Sequence, residues 1–263
     1  MKHLIRLILN LFPRKFLQRI ASWAAPVAGL LYVGRGRECP MCGSRYRRFM
    51  PYGYVTSRED ALCPRCLSLE RHRMIWLWLE RHTDLFERRP RLLHIAPEES
   101  LMRHFRKLYH STNDYITADL ESPLADEHFD VESIPMEGSS FDVIICNHLL
   151  EHVENDRKAL SELYRILRPG GWGILLVPED RSRETTFEDN TITDPKERTR
   201  LFGQYDHRRV YGRDYDDRLR EAGFEVERID FSAQLTEWEC HLYAPGQDDL
   251  VVVRKSVDDN SIT

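Results

Sequence analysis

Two Cys-x-x-Cys pairs, Cys39/Cys42 and Cys63/Cys66, stand 20 residues apart and constrain the fold more tightly than anything else in the chain. Thiolates at this spacing grip one face of a tetrahedral cation, and a second matched pair closes the sphere. Four sulfur ligands leave no open coordination position, so the expected occupant is a structural Zn2+ in a small ribbon. Two disulfides or a redox dithiol are the alternatives. Disulfides call for a secretion signal, and the opening residues supply no convincing one. A redox dithiol leaves the matched second pair unexplained. A proline after each leading cysteine, and Gly43 after the first pair, suit tight turns. Cys146 and Cys240 lie in apolar, strand-like stretches and read as plain buried thiols.

Between the knuckles, Arg45, Arg47 and Arg48 alternate with Tyr46, Phe49, Tyr52 and Tyr54. Such a mixture can stack on RNA and neutralise it. A ribbon this small has little else to bury, however, and the aromatics are expected to be its core. "LSLERHRMIWLWLERHTDLF" then predicts a helix, and Arg88–Arg91 reads as a linker. The expected organisation is a basic arm (1–37), a zinc ribbon (38–70), a connecting helix and linker (71–90), an alternating domain (91–255) and a flexible tail (256–263).

In the alternating domain, apolar strand-like runs take turns with amphipathic helical ones. "RLLHIA", "DYITADL", "HFDVESIP", "FDVIICNHL", "WGILLVP", "FEVERIDF" and "DLVVVRK" are the expected strands. "FDVIICNHL" is apolar throughout, as interior strands of parallel sheets are. The helix after it closes at Pro169-Gly170-Gly171. This order predicts an α/β fold with a doubly wound, mostly parallel seven-stranded sheet, Rossmann-like, with ligands at the carboxyl ends of the strands. No helix is expected between the last two strands, so one of them runs antiparallel.

"FDVIICNHLLEHVENDRKALSELYRILRPGGWGILLVP", residues 141–178, resembles the region from strand four to strand five of class I S-adenosylmethionine-dependent methyltransferases. The likeness extends over about residues 91–254, and the added ribbon is similar to one in a zinc-containing ribosomal RNA methyltransferase family. The resemblance implies a cofactor site of His94, Ala96, Pro97, Glu98, Asp119, Leu120, Asp130, Val131, Asn147 and His148. Asp119 would take the ribose hydroxyls and Asp130 with Val131 the adenine, while Glu98 or Glu99 would either take the ammonium group or serve only as favourable acids in a helix's first turn. Glu151 and His152 would either hold the strand-to-helix turn or touch ligand. Two departures stand out. His94-Ile95-Ala96-Pro97-Glu98 replaces the usual acid and spaced glycines, and the stretch from Asp119 to Asp130 is too short for the family's usual helix.

The polar residues 179–215 follow strand five at the same sheet edge and read as a lid or substrate reader. Within them His207 is the candidate general base, oriented by Asp206 or another acid, with Arg209 and Tyr211 as candidate substrate contacts. The expected function is S-adenosylmethionine-dependent methyl transfer to an unidentified acceptor. The alternatives are a non-catalytic scaffold made of a ribbon and a methyltransferase fold, or an RNA methyltransferase.

Charge bears on that choice. Residues 1–37 hold seven bases and no acid, so the remainder carries 31 basic against 43 acidic residues, a net −12. A small-molecule, glycan or lipid acceptor therefore fits better than nucleic acid. The arm has apolar residues at helical spacing, but its longest uncharged stretch, Ile20–Gly34, contains Pro26 and is too short to span a bilayer. It is read as a helix docked on its own domain or on a second copy of the chain. Contact of residues 1–30 with a membrane surface is the alternative, and a cleaved signal the third. The expected location is cytoplasmic, free or peripheral to the membrane.

Overall fold

The computed structural model describes residues 27–53 and 57–257 and divides the chain into two compact units. Of the described residues, the first unit takes those up to His82 together with Phe231–Asp248, and the second takes Thr83–Asp230 and Asp249–Val257. Most of the expected amphipathic arm, residues 1–26, lies outside the described residues, as do residues 258–263 of the expected tail. No helix among the described residues is long and apolar enough to cross a membrane.

In the first unit, β1 (Val33–Glu38) pairs antiparallel with β2 (Arg45–Tyr46), and β3 (Met50–Tyr52) with β4 (Arg58–Leu62). Helix α1 (Glu70–His82) follows. Phe49 is fully buried and Tyr46 nearly so, with ring centroids 6.3 Å apart. These aromatics form the ribbon's core, and Arg45 and Arg48 are drawn to Glu38 and Glu59. The two knuckles are the same turn made twice. Gly43 N–H donates to the Cys39 carbonyl and Leu67 N–H to the Cys63 carbonyl, and both Gly43 and Leu67 have φ near +60°.

The second unit opens with α2 (Leu85–Arg88) and β5 (Leu92–Ile95), then α3 (Glu99–Leu108), β6 (Tyr115–Ala118), β7 (Phe141–Asn147), α4 (Asp156–Ile166) and β8 (Leu167–Leu176). Asn155 starts α4, its side chain accepting the Lys158 N–H at 3.0 Å. The polar excursion folds into β9 (Phe187–Glu188), α5 (Pro195–Phe202) and β10 (Arg209–Val210), with β9 and β10 paired antiparallel. Helix α6 (Tyr215–Glu221) leads to β11 (Glu225–Ile229). The chain then enters the first unit, where it makes the helix α7 (Glu237–Tyr243), before β12 (Leu250–Arg254) completes the sheet. A short helix therefore does separate the last two strands.

Sheet order is β11-β12-β8-β7-β5-β6, with β6, β5, β7 and β8 parallel and β12 antiparallel to both of its neighbours. Its interior strands are apolar and buried, as the sequence predicts. At Gly173 an added Cβ would stand 2.8 Å from the Ile144 carbonyl oxygen, so the close approach of β8 to β7 requires glycine there.

The sheet has six strands among the described residues, against the seven expected. "HFDVESIP" does not pair as a strand. The edge it would join is already occupied: Asp126 Oδ2 accepts the Thr117 N–H at 3.0 Å, and the Asp126 and Glu127 N–H groups donate to the Thr117 carbonyl. Only one parallel bridge, Ala118 to Glu127, forms on this edge, with the Asp119 N–H donating to the Glu127 carbonyl, and no named strand follows from it.

Candidate functional site

Three side-chain groupings carry chemistry. In the first unit, Cys39, Cys42, Cys63 and Cys66 bring their sulfurs within 4.8 Å of one another, with Cys39–Cys66 at 3.5 Å and Cys42–Cys63 at 3.8 Å. Sulfurs around a tetrahedral zinc at ~2.3 Å stand ~3.8 Å apart, far beyond a disulfide bond of ~2.05 Å, so these residues fit the ion. Crowded thiols cannot share one ordinary pKa. Hydrogen bonding with Cys39 holds Cys42 well below the usual thiol range and pushes Cys63 well above it. Ser68 Oγ lies 3.3 Å from the Cys39 sulfur and 3.2 Å from that of Cys66.

Arg73, fully buried, sits behind this cluster. Burial pulls its pKa below the ordinary arginine value, and the negative field of Cys39 leads the offsetting influences. Its guanidinium donates to the carbonyls of Ala61 (2.8 Å), Tyr243 (2.7 Å) and Ala244 (2.6 Å) and lies 4.3 Å from the Phe49 ring centre. Arg73 thereby ties residues 243–244 into the first unit.

The second grouping lies at the carboxyl ends of β5 and β7, where the strand order reverses. His94 is fully buried, its Nε2 2.9 Å from Glu98 Oε2 and its Nδ1 3.0 Å from Tyr115 Oη. It aims Glu98 rather than presenting itself to a ligand, and Tyr115 is a member of this site that the sequence reading missed. Asn147 Nδ2 donates to Glu98 Oε1 at 3.3 Å, bridging the crevice between the two strands. Asn147 is 2% exposed, and its Oδ1 has no hydrogen-bond partner.

Ala96, at φ +48°, and His148, at φ +52°, end these strands in the left-handed conformation. In this region an L-residue costs ~1–2 kcal/mol, so the glycine-less turn keeps a glycine-like path under strain. Ala96→Gly is expected to raise stability by ~0.5–1 kcal/mol, after glycine's own entropy cost, and Ala96→Val to lower it. Urea unfolding midpoints would check both.

Asp119 follows β6. Its Oδ1 accepts the N–H groups of Glu121 (2.9 Å) and Ser122 (2.7 Å), which leaves Oδ2 without a hydrogen-bond partner among the described residues. Leu120 beside it is 64% exposed. Asp130 accepts the Glu132 N–H at 2.9 Å, and Val131 is buried. Pro97 is half-buried in the turn before α3.

The third grouping comprises His148, Glu151, His152, Asp206 and His207. His207 is 4% exposed, and its Nδ1 meets the Phe202 carbonyl at 3.0 Å. A carbonyl only accepts, so Nδ1 carries the proton and Nε2 a bare lone pair. Burial lowers the pKa of this ring below the usual imidazole value. Asp206, expected to orient His207, instead faces His152, its Oδ2 3.5 Å from Nδ1.

Arg209 and Tyr211, expected as substrate contacts, are fully buried and committed elsewhere. Arg209 donates to the carbonyls of Leu150 (2.6 Å), Val153 (2.8 Å) and Glu154 (2.9 Å) and pairs with Glu188 at 3.0 Å. Tyr211 donates from its hydroxyl to Leu150 O and Asp156 Oδ2. Both residues fix the loop that presents Glu151 and His152.

Comparison with known proteins adds to this geometry. Residues 130–175 match a family described as "Methyltransferase domain". The matched stretch, which holds β7, α4 and most of β8, is similar to that family. It is 30% identical over 103 residues to malonyl-[acyl-carrier protein] O-methyltransferase of Methylococcus capsulatus, covering 38% of this chain and 34% of that protein. It is 30% identical over 123 residues to 27-O-demethylrifamycin SV methyltransferase of Amycolatopsis mediterranei, covering 45% and 42%. The chain thus spans less than half the length of these curated relatives. Among solved structures it is similar to Burkholderia thailandensis 1,6-didemethyltoxoflavin-N1-methyltransferase, at 17% identity and a TM-score of 0.40, over 64% of this chain and 72% of that one.

Proposed function

We propose that the protein is an S-adenosylmethionine-dependent methyltransferase acting on a small-molecule, glycan or lipid acceptor, with Zn2+ as a structural ion in its cysteine unit. The observation that carries the cofactor reading is the orphaned Asn147 Oδ1 beside Glu98 at the strand-order reversal. A buried acceptor without a donor is costly, and an ammonium group supplies the donor. Asp119 is assigned to the ribose diol, as carboxylates after the second strand of such folds are, and its Oδ2, without a hydrogen-bond partner among the described residues, supports that role. Asp130 and Val131 are assigned to the adenine.

When bound, S-adenosylmethionine supplies an electrophilic methyl group on sulfonium. The chain's own part is alignment, since in-line transfer gains most from a fixed approach. Glu98 and Asn147 fix the amino-acid end, Asp119 the ribose, and His148 lines the acceptor side. Activation of the acceptor falls to Glu151, His152 and His207.

Titration calorimetry with S-adenosylhomocysteine tests the cofactor site. Binding is expected for the wild type, and Asp119→Ala and Asn147→Ala are each expected to weaken it ~10–100-fold, the worth of a hydrogen bond to a charged group or a bidentate contact. Absence of heat up to millimolar ligand would favour the scaffold reading instead.

A further inference from the structure

We infer that Glu151, His152 and His207 form a second metal site, for a divalent transition metal, beside the methyl-transfer crevice. Each offers a donor atom, and the three atoms lie within 4.8 Å of one another. Glu151 is 2% and His207 4% exposed, yet Glu151 Oε2 and His207 Nε2 have no hydrogen-bond partner. Buried polar atoms are nearly always paired. Here two of them, a carboxylate oxygen and an imidazole nitrogen, belong to residues whose donor atoms converge within 4.8 Å.

The surrounding atoms are those of a metal centre's outer layer. His207 gives its Nδ1–H to the Phe202 carbonyl, which leaves Nε2 bare for a ligand. His152 sets Nδ1 3.5 Å from Asp206 Oδ2, and its Nε2 lies 4.0 Å from Glu151 Oε1. Each imidazole is thus steered on one nitrogen by an oxygen and directs the other into the cluster, the usual support for metal-bound histidine. His148 Nδ1, 3.7 Å from Glu151 Oε1, stands at the rim as a further donor.

Donors bound to one ion at ~2.1 Å sit ~3–4 Å apart, so closure needs only small side-chain rotations. The backbone beneath is braced: Arg208 N–H donates to the Glu151 carbonyl at 2.8 Å, and Arg209 holds the carbonyls on either side. Two imidazoles and one carboxylate suit Zn, Fe, Co, Ni or Mn rather than Mg or Ca. His148 and His152 remain about a third exposed, so the cluster opens on one side. An oxygen acceptor, a hydroxyl or a carboxylate, is the ligand such an open position would orient. That last role rests on the methyl-transfer reading, whereas metal occupancy does not.

The test uses full-length protein with its cysteines loaded with zinc, titrated with Co2+ and followed by calorimetry and visible spectroscopy. The wild type is expected to take up one further equivalent, with weak ligand-field bands and no thiolate charge-transfer band. Glu151→Gln and His207→Ala are each expected to weaken that uptake at least ~10-fold while keeping the far-ultraviolet circular dichroism and cooperative urea unfolding of the wild type, which shows that the second unit, which holds both residues, still folds. No further uptake by the wild type below ~100 µM Co2+ would overturn the proposal, whatever the variants do. So would uptake undiminished in both variants. S-adenosylhomocysteine binding, measured separately, reports on the methyltransferase reading independently of either outcome.

Discussion

Cys63→Ser is expected to yield a chain without thiolate-bound zinc and with its first unit unfolded. Structural zinc contributes ~10–16 kcal/mol of apparent binding free energy at neutral pH, as much as or more than the ~5–15 kcal/mol net stability of a typical domain. Beyond the ion, the described residues of the unit offer two short strand pairs, helices α1 and α7 and a small core of Phe49, Met74, Ile75, Leu77 and Leu79. Loss of the thiolates also removes the negative charge that offsets the buried Arg73, leaving a desolvated cation in the core. The measurement is metal content together with limited proteolysis. Cleavage is expected within both 57–82 and 231–248, and a strong chelator should reproduce it in the wild type. A Cys63→Ser chain with wild-type protection in both segments would show that the cysteines do not organise the unit.

The second large effect is expected at Arg209. Arg209→Ala removes the donor to three backbone carbonyls, Leu150, Val153 and Glu154, and orphans one side of Glu188. Breaking a buried charged network by deleting one member costs ~3–5 kcal/mol. The nearby Asp156–Arg218 pair, at 2.8 Å with both side chains almost inaccessible, remains to hold α6 and α4. The fold should therefore survive with a lower urea midpoint, while loop 150–154 loses its brace. Because that loop carries Glu151 and His152, Arg209→Ala is also expected to weaken Co2+ uptake. An unchanged midpoint would mean that the carbonyls find other donors.

The parts of this molecule legible in its sequence are those governed by hydrophobic periodicity and local spacing. The run around Phe141–Asn147 reads as an interior strand and the one around Leu250–Arg254 as a strand, and both take their places in the sheet. The paired knuckles announce four converging sulfurs. Periodicity does not reveal which backbone groups are already satisfied, and so a third strand was expected where Asp126 closes the edge at Thr117. Nor does hydropathy register a buried arginine. Arg209 and Tyr211 lie in a polar stretch that reads as a substrate surface, and only tertiary contacts turn them inward. The pairing of Asp206 with His152 rather than His207 depends on distances between separate loops. Glu151 and His152, conspicuous in "LLEHV", left their partner unnamed because His207 lies 55 residues further on.

The excursion between β11 and β12 has a consequence for how the protein is made. Residues 231–248 belong to the unit that carries the cysteines, yet they emerge from the ribosome after nearly all of the second unit has been synthesised. Domains ordinarily fold in order, amino-terminal first. Here the cysteines and Arg73 are made before the carbonyls of residues 243–244 that Arg73 grips, and the whole of residues 83–230 is synthesised in between. A cut at residue 82 would likewise leave neither half whole: one fragment would lack α7 and the carbonyls that Arg73 grips, and the other would carry them with nothing to grip. The gene cannot be split where the sequence invites it.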